Sequence, residues 1–156
     1  MIGPIETQAT RPGEMSIRGL EKHLDQRVQQ VISLMKENYQ KPLRLDRLAR
    51  LVNLSIWHLG HLFKSETGQP PAQYLKEIRL SQARHLLATE PLSIKEVMNK
   101  VGLRDQSHFA KDFKKRFGLT PTRYRASILF AQNESEAAAE AEELEEAGPK
   151  AARAAG

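Results

Sequence analysis

The sequence predicts an all-α fold of about seven helices, arranged as two tandem helix-turn-helix subdomains joined by a linking helix. Three observations carry the prediction. No stretch between about residues 24 and 130 alternates polar and apolar residues as a strand would; apolar residues recur there at helical spacing between clear start and stop signals; and the pattern repeats once, about fifty residues further on.

The first helix is expected from a cap at Asp25 to Tyr39, with Val28, Val31, Ile32, Met35 and Tyr39 on one face and Pro42 closing it. Leu45 to Val52 reads as a short second helix. Asn53 follows it, the residue type that best tolerates a left-handed backbone after glycine. Ser55 is expected to cap a third helix, which carries Leu59, Leu62 and Phe63 and stops at Gly68. Pro70 and Pro71 forbid continuation and open a longer fourth helix from about Ala72 to Ala88, with Tyr74, Leu75, Ile78, Leu86 and Leu87 as its buried contacts. Ser93 and Glu96 form a capping box, in which each side chain satisfies an orphan backbone donor at the start of a fifth helix that ends at Gly102. Asp105 or Ser107 caps the sixth, whose Phe109, Phe113 and Phe117 stand four apart before Gly118. Thr120 and Pro121 then start a seventh helix toward Phe130.

Composition narrows the function classes. The chain has 156 residues, 40% of them apolar, and a mean hydropathy of -0.54. It has no apolar run near the roughly 18 residues that cross a bilayer, so no membrane partner is expected. The first 17 residues lack the apolar core of a secretory signal, and a cytoplasmic, nucleoid-associated protein is expected. With no cysteine, disulfides, thiolate zinc sites and cysteine nucleophiles are excluded.

The net charge of +5 hides a segregation: residues 18–130 hold 21 Lys and Arg against 10 Asp and Glu, net +11, whereas residues 131–156 hold 2 against 7, net -5. A compact basic body of this kind suits a polyanion, because neutralising phosphates releases condensed counterions. The chain divides accordingly into a flexible leader over 1–23, the helical body over 24–130, and an acidic, low-complexity Glu/Ala tail over 131–156 with helix propensity but no apolar face.

The repeat is the most informative feature. Leu59, Phe63, Lys64, Gly68, Pro71, Tyr74 and Ile78 recur fifty residues later as Phe109, Phe113, Lys114, Gly118, Pro121, Tyr124 and Ile128; upstream, Leu48, Val52 and Leu54 match Val97, Val101 and Leu103 at an offset of 49. Each copy reads short helix, tight turn, longer helix. In that motif the first helix packs across the second, whose exposed face enters a DNA major groove. The fourth helix, about 17 residues and roughly 25 Å long, sets the two recognition helices about one DNA turn apart, on an asymmetric site of about 15 to 20 base pairs read by one chain as a monomer.

These residues resemble the C-terminal DNA-binding domain of the AraC/XylS family of bacterial transcription regulators, over about Val28 to Arg125. The second copy is the more specific: Ile94, Val101, Gly102, Leu103, Phe109, Phe113, Lys114, Lys115, Phe117, Gly118, Thr120, Pro121, Tyr124 and Arg125 look like the family signature. Leu48, Ala49, Leu54, Ser55, Leu59, Leu62, Phe63, Lys64, Thr67 and Gly68 support it. The resemblance implies that the third and sixth helices are the recognition helices and that the protein is a sequence-specific regulator of transcription, an activator in the commoner family outcome, with RNA polymerase as a partner. It is similar to the small stand-alone members, and a truncated DNA-binding part of a larger effector-sensing regulator is the alternative. The first copy departs from the family pattern, with Asn53 where glycine is common, Ile56 where proline is frequent and His61 where an arginine is typical.

At 100° per residue, the third helix turns Trp57, Gly60, His61 and Lys64 away from Leu59 and Phe63, and the sixth turns Ser107, Ala110, Lys111 and Lys114 away from its phenylalanines. Base-facing roles are expected for Trp57, His61, Gln106, Ser107 and Lys111. The Gln106 amide suits an adenine edge, Lys111 a guanine, and Trp57 thymine methyls or sugars. Lys64, Lys114, Lys115 and Arg116 are expected to meet phosphates, which position the protein without reading sequence. No cofactor or metal is expected; His58 and His61 are three apart on one helix, but no third ligand lies nearby. No set of nucleophile, base and orienting group converges, so no enzyme is expected. A helical adaptor with a basic docking face is the competing class, and the repeated unit argues against it.

Overall fold

The computed structural model describes residues 24–153; the expected leader over 1–23 lies outside them. Among the described residues there are seven helices and no strand: α1 Gln26–Asn38, α2 Leu45–Leu51, α3 Ile56–Thr67, α4 Pro71–Thr89, α5 Ile94–Val101, α6 Gln106–Phe117 and α7 Pro121–Arg153. None of these helices is long and apolar enough to cross a membrane. The chain divides into two compact units, and the division falls between Lys76 and Glu77, inside α4.

In the first unit, Val28, Val31, Ile32 and Met35 of α1 bury against Leu48, Ala49 and Val52 at α2 and Leu59 and Phe63 of α3. The turn between α2 and α3 needs one left-handed residue, and Asn53 supplies it at φ 56°. Its N–H donates to the Arg50 carbonyl at 3.1 Å, and the Leu54 N–H donates to that of Ala49 at 2.9 Å. Ser55 then caps α3 by accepting the His58 N–H, and Gly68 ends the helix at φ 82°. Pro71, buried, occupies the first position of α4, where its missing N–H costs nothing. Tyr74 meets the Phe63 ring edge-on at 5.3 Å.

The second unit repeats these devices one by one. Leu80, Ala83 and Leu87 of α4, Val97, Met98 and Val101 of α5, and Phe109 and Phe113 of α6 form its core. Ser93 and Glu96 make the expected capping box. Gly102, at φ 78°, replaces Asn53 in the turn, with Leu103 N–H donating to Met98 at 2.9 Å as Leu54 does to Ala49. Asp105, rather than Ser107, is the cap of α6, and Gly118 ends it. Pro121 is again buried, and Tyr124 again meets its phenylalanine, Phe113, edge-on at 5.6 Å. Arg125 donates to the Leu92 carbonyl and so ties α7 to the loop ahead of α5.

Two features differ from the sequence reading. Tyr74, Ile78 and Leu86 are only half-buried, whereas Leu80 and Ala83 are buried. Helix α4 serves one core with Leu75 and another with Leu80, Ala83 and Leu87, and a helix with two employments shows no single apolar stripe. The seventh helix does not end near Phe130. It continues through the Glu/Ala tract to Arg153, and every residue from 131 to 147 is exposed. Alanine and glutamate are strong helix formers, and no glycine or proline interrupts them before Gly148.

Acid should weaken the first unit through the α1 cap. Asp25 accepts the Arg27 N–H at 2.9 Å and both arms of the Arg27 guanidinium. The side-chain hydrogen bond from Arg27 leads in lowering its pKa from 3.8 to about 2. A carboxylate with a depressed folded pKa stabilises fully above its unfolded value and loses that contribution as pH falls through the folded one. Urea melts of the wild type should therefore lose stability between about pH 4 and pH 2 more steeply than melts of Asp25→Asn; parallel curves would show that the cap plays no part.

Candidate nucleic-acid interface

Each recognition helix spends one face on its core and leaves the other free. In α3 the buried pair is Leu59 and Phe63, both 0% exposed. The opposite flank carries Trp57, His61 and Lys64, all exposed, as expected from the sequence. Trp57 is 72% exposed, which excludes the core role that an indole of this size usually takes. Its ring lies 4.2 Å from that of His61, tilted by 45°. The two form an aromatic ledge along the helix, one turn apart. Between them Gly60 meets nothing within 4 Å of where a Cβ would stand, so a groove wall can approach the α3 backbone closely at this point.

In α6 the buried pair is Phe109 and Phe113. Gln106 is the first residue of the helix, and Gln106, Ser107, Lys111, Lys114 and Lys115 are all exposed. Ser107, Lys111 and Lys114 share the flank turned away from the phenylalanines; Gln106, at the N-terminal end of the helix, lies off that flank, on the phenylalanine side. Asp105 fixes that end: its carboxylate accepts the His108 N–H at 2.9 Å and lies 2.9 Å from His108 Nδ1. Hydrogen bonding from the His108 backbone N–H, followed by its side chain, holds the Asp105 carboxyl below its ordinary range. Asp105 therefore holds a formed first turn, of which Gln106 is the first residue.

By helix angle Arg116, like Gln106 at the other end of α6, lies on the phenylalanine side and not on this flank. Its Nε donates to Glu77 Oε2 at 2.6 Å, and its guanidinium lies 5.4 Å from the centroid of the Phe117 ring. Arg104 is an exposed cation immediately ahead of the α6 cap that sequence reasoning passed over. It is the single extra residue of the second turn, and the change of repeat offset from 49 to 50 was the signal that pointed to it.

Two short-helix, tight-turn, long-helix units, each with one buried and one free face on its last helix, define a tandem helix-turn-helix domain. A family model described as a helix-turn-helix domain matches residues 48–127. Among solved structures, a transcriptional regulator from Chromobacterium violaceum, described as an AraC-type DNA-binding domain-containing protein, is 33% identical with a TM-score of 0.61, over 65% of this chain and 91% of that one. The DNA-binding domain of AdpA, solved in complex with a target DNA, is 28% identical with a TM-score of 0.62, over 66% and 93%. The chain belongs to the helix-turn-helix family, in its AraC-type group. The Msm operon regulatory protein of Streptococcus mutans is 34% identical over 101 residues, which are 65% of this chain and 36% of that protein. The lactose operon transcription activator of Staphylococcus xylosus is 34% identical over 98 residues, 63% and 35%. The chain thus spans about a third of the length of these curated relatives.

The indole makes the free face of α3 directly observable, because Trp57 is the sole tryptophan of the chain. Addition of duplex DNA should quench its emission and shift it to the blue as the ring leaves water. Unchanged emission at saturating DNA would remove Trp57 from the interface.

Proposed function

We propose that this chain is a sequence-specific, double-stranded-DNA-binding regulator of transcription that inserts α3 and α6 into successive major-groove segments. The observation that supports the reading best is the repeated unit, in which the same flank of the last helix stays exposed in both copies while the left-handed turn, the side-chain cap, the C-terminal glycine, the buried proline and the returning tyrosine around it are duplicated. The curated relatives named as operon regulators and the AdpA domain solved on its target DNA support the same reading.

The roles follow from chemistry. In the second copy, Gln106 and Ser107 at the start of α6 and Lys111 one turn on read base edges, through a bidentate amide, a hydroxyl and an ammonium donor. In the first copy, Trp57 offers apolar area to thymine methyls, His61 offers ring nitrogens, and Gly60 permits close approach. Lys64, Lys114 and Lys115 neutralise phosphates and position the helices. Regulation is activation through contact with RNA polymerase, and one chain occupies the site as a monomer. None of these roles calls on a nucleophile, a general base or a metal.

Fluorescence anisotropy on a labelled duplex tests the reading. With roughly 5 to 8 phosphates neutralised, the logarithm of the binding constant should fall with the logarithm of salt at a slope of about -5 to -7, and a slope near zero would remove the nucleic-acid reading. Lys111→Ala should relax base preference in one half-site at about 1 to 3 kcal/mol, and His61→Ala should cost less. Binding-site selections with the two variants decide which copy dominates, and a larger change with His61→Ala would reverse the assignment.

A further inference from the structure

The last turn of α6 is fastened to α4 by a cluster that the DNA-facing flank does not use. Arg116 Nε donates to Glu77 Oε2 at 2.6 Å. The guanidinium of Arg84, seven residues after Glu77 and so on the same face of α4, lies 5.1 Å from the centroid of Phe117 and 5.7 Å from that of Tyr124. Arg84 Nε also donates to the Tyr124 hydroxyl at 3.3 Å. Phe117 therefore has two guanidinium groups against it, one from α4 and one, Arg116, from its own helix.

The duplicate position in the first unit identifies what this site is for. Arg116 corresponds to Glu66 in the fifty-residue repeat. Glu66 Oε2 accepts the backbone N–H of Asp25 at 3.0 Å, at the start of α1. Helices α1 and α4 are themselves equivalent, since Val28, Val31 and Met35 bury as Leu80, Ala83 and Leu87 do, at a common offset of 52. In both units the end of the recognition helix is tied to the first helix of the same unit, by a carboxylate in one and a guanidinium in the other. The position is thus used for an intramolecular tie in both units, with opposite charge in the two.

We propose that Arg116 is a positioning residue: paired with Glu77 and stacked on Phe117, it sets the orientation in which α6 presents Gln106, Ser107 and Lys111, and it stays on Glu77 in the DNA complex instead of neutralising a phosphate. This rests on the DNA-binding reading above.

The test uses the full chain and two probes, the duplex recovered by selection with the wild type and the same duplex with its second half-site scrambled. Arg116→Ala should keep the wild-type salt slope while its discrimination between the two duplexes falls about tenfold, a loss in the range expected for disturbed base readout. Lys114→Ala should instead lower the slope by about 0.9, the contribution of one phosphate contact. The charge swap Glu77→Arg with Arg116→Glu should bring discrimination back to within about threefold of wild type, since it restores the tie while reversing the charge on α6. A slope lowered by about 0.9 in Arg116→Ala, or a swap that binds no better than the single variant, overturns the proposal. Should the alanine variant melt early, Arg116→Gln, which keeps the aliphatic stem as far as Cδ and removes the guanidinium, replaces it with the same criteria. A wild type that prefers no duplex defeats the DNA-binding reading itself, and this inference with it, before any variant is compared.

Discussion

Each unit hangs on one buried phenylalanine. Phe63 and Phe113 are both 0% exposed, each sits in the third turn of a recognition helix, and each is met edge-on by a tyrosine four residues into the next helix. Removing such a ring from a packed core costs about 3 to 5 kcal/mol. The constraint is directional as well as energetic: once the phenylalanine and the apolar residue one turn before it are committed inward, 100° per residue decides which side chains face out. Trp57 and His61 in α3, and Ser107 and Lys111 in α6, are exposed because Leu59, Phe63, Phe109 and Phe113 are not.

The parts that hold this geometry have changed little between the copies, and the parts that it displays have changed much. A left-handed residue in the turn, a side-chain cap, a C-terminal glycine, a buried proline and a returning tyrosine occur in both. The free flanks share only a lysine in the third turn, Lys64 and Lys114. One displays a tryptophan against a histidine, with a glycine between them in the sequence; the other displays a serine and a lysine, with a glutamine at the helix start. Different flanks on two similar frames fit the unequal readout proposed above.

Most of the frame was legible in the sequence because its devices are local. The capping box at Ser93 and Glu96, the left-handed Asn53 and the glycine stops each declare themselves within four residues. The free flanks followed from helical periodicity alone. What escaped depends on partners distant in sequence. Glu77 and Arg116 are 39 residues apart, and nothing near Arg116 distinguishes it from Lys114 and Lys115, its neighbours in a basic run. The burial of Leu80 and Ala83 was hidden because α4 contributes to two cores. The extension of α7 was underread for another reason: the Glu/Ala tract has no apolar face, and helix-forming propensity without a core to join is a weak signal, although here it continues a helix already started at Pro121.

The central claim is that one chain presents two recognition helices to one DNA. Hydroxyl-radical footprinting on a selected duplex, at a concentration where a single chain is bound per duplex, tests it most directly. The account predicts two protected segments on one face of the DNA, about 10 base pairs apart centre to centre, appearing together as the protein is added. A single protected segment, or a second that appears only when a second chain binds, would contradict it.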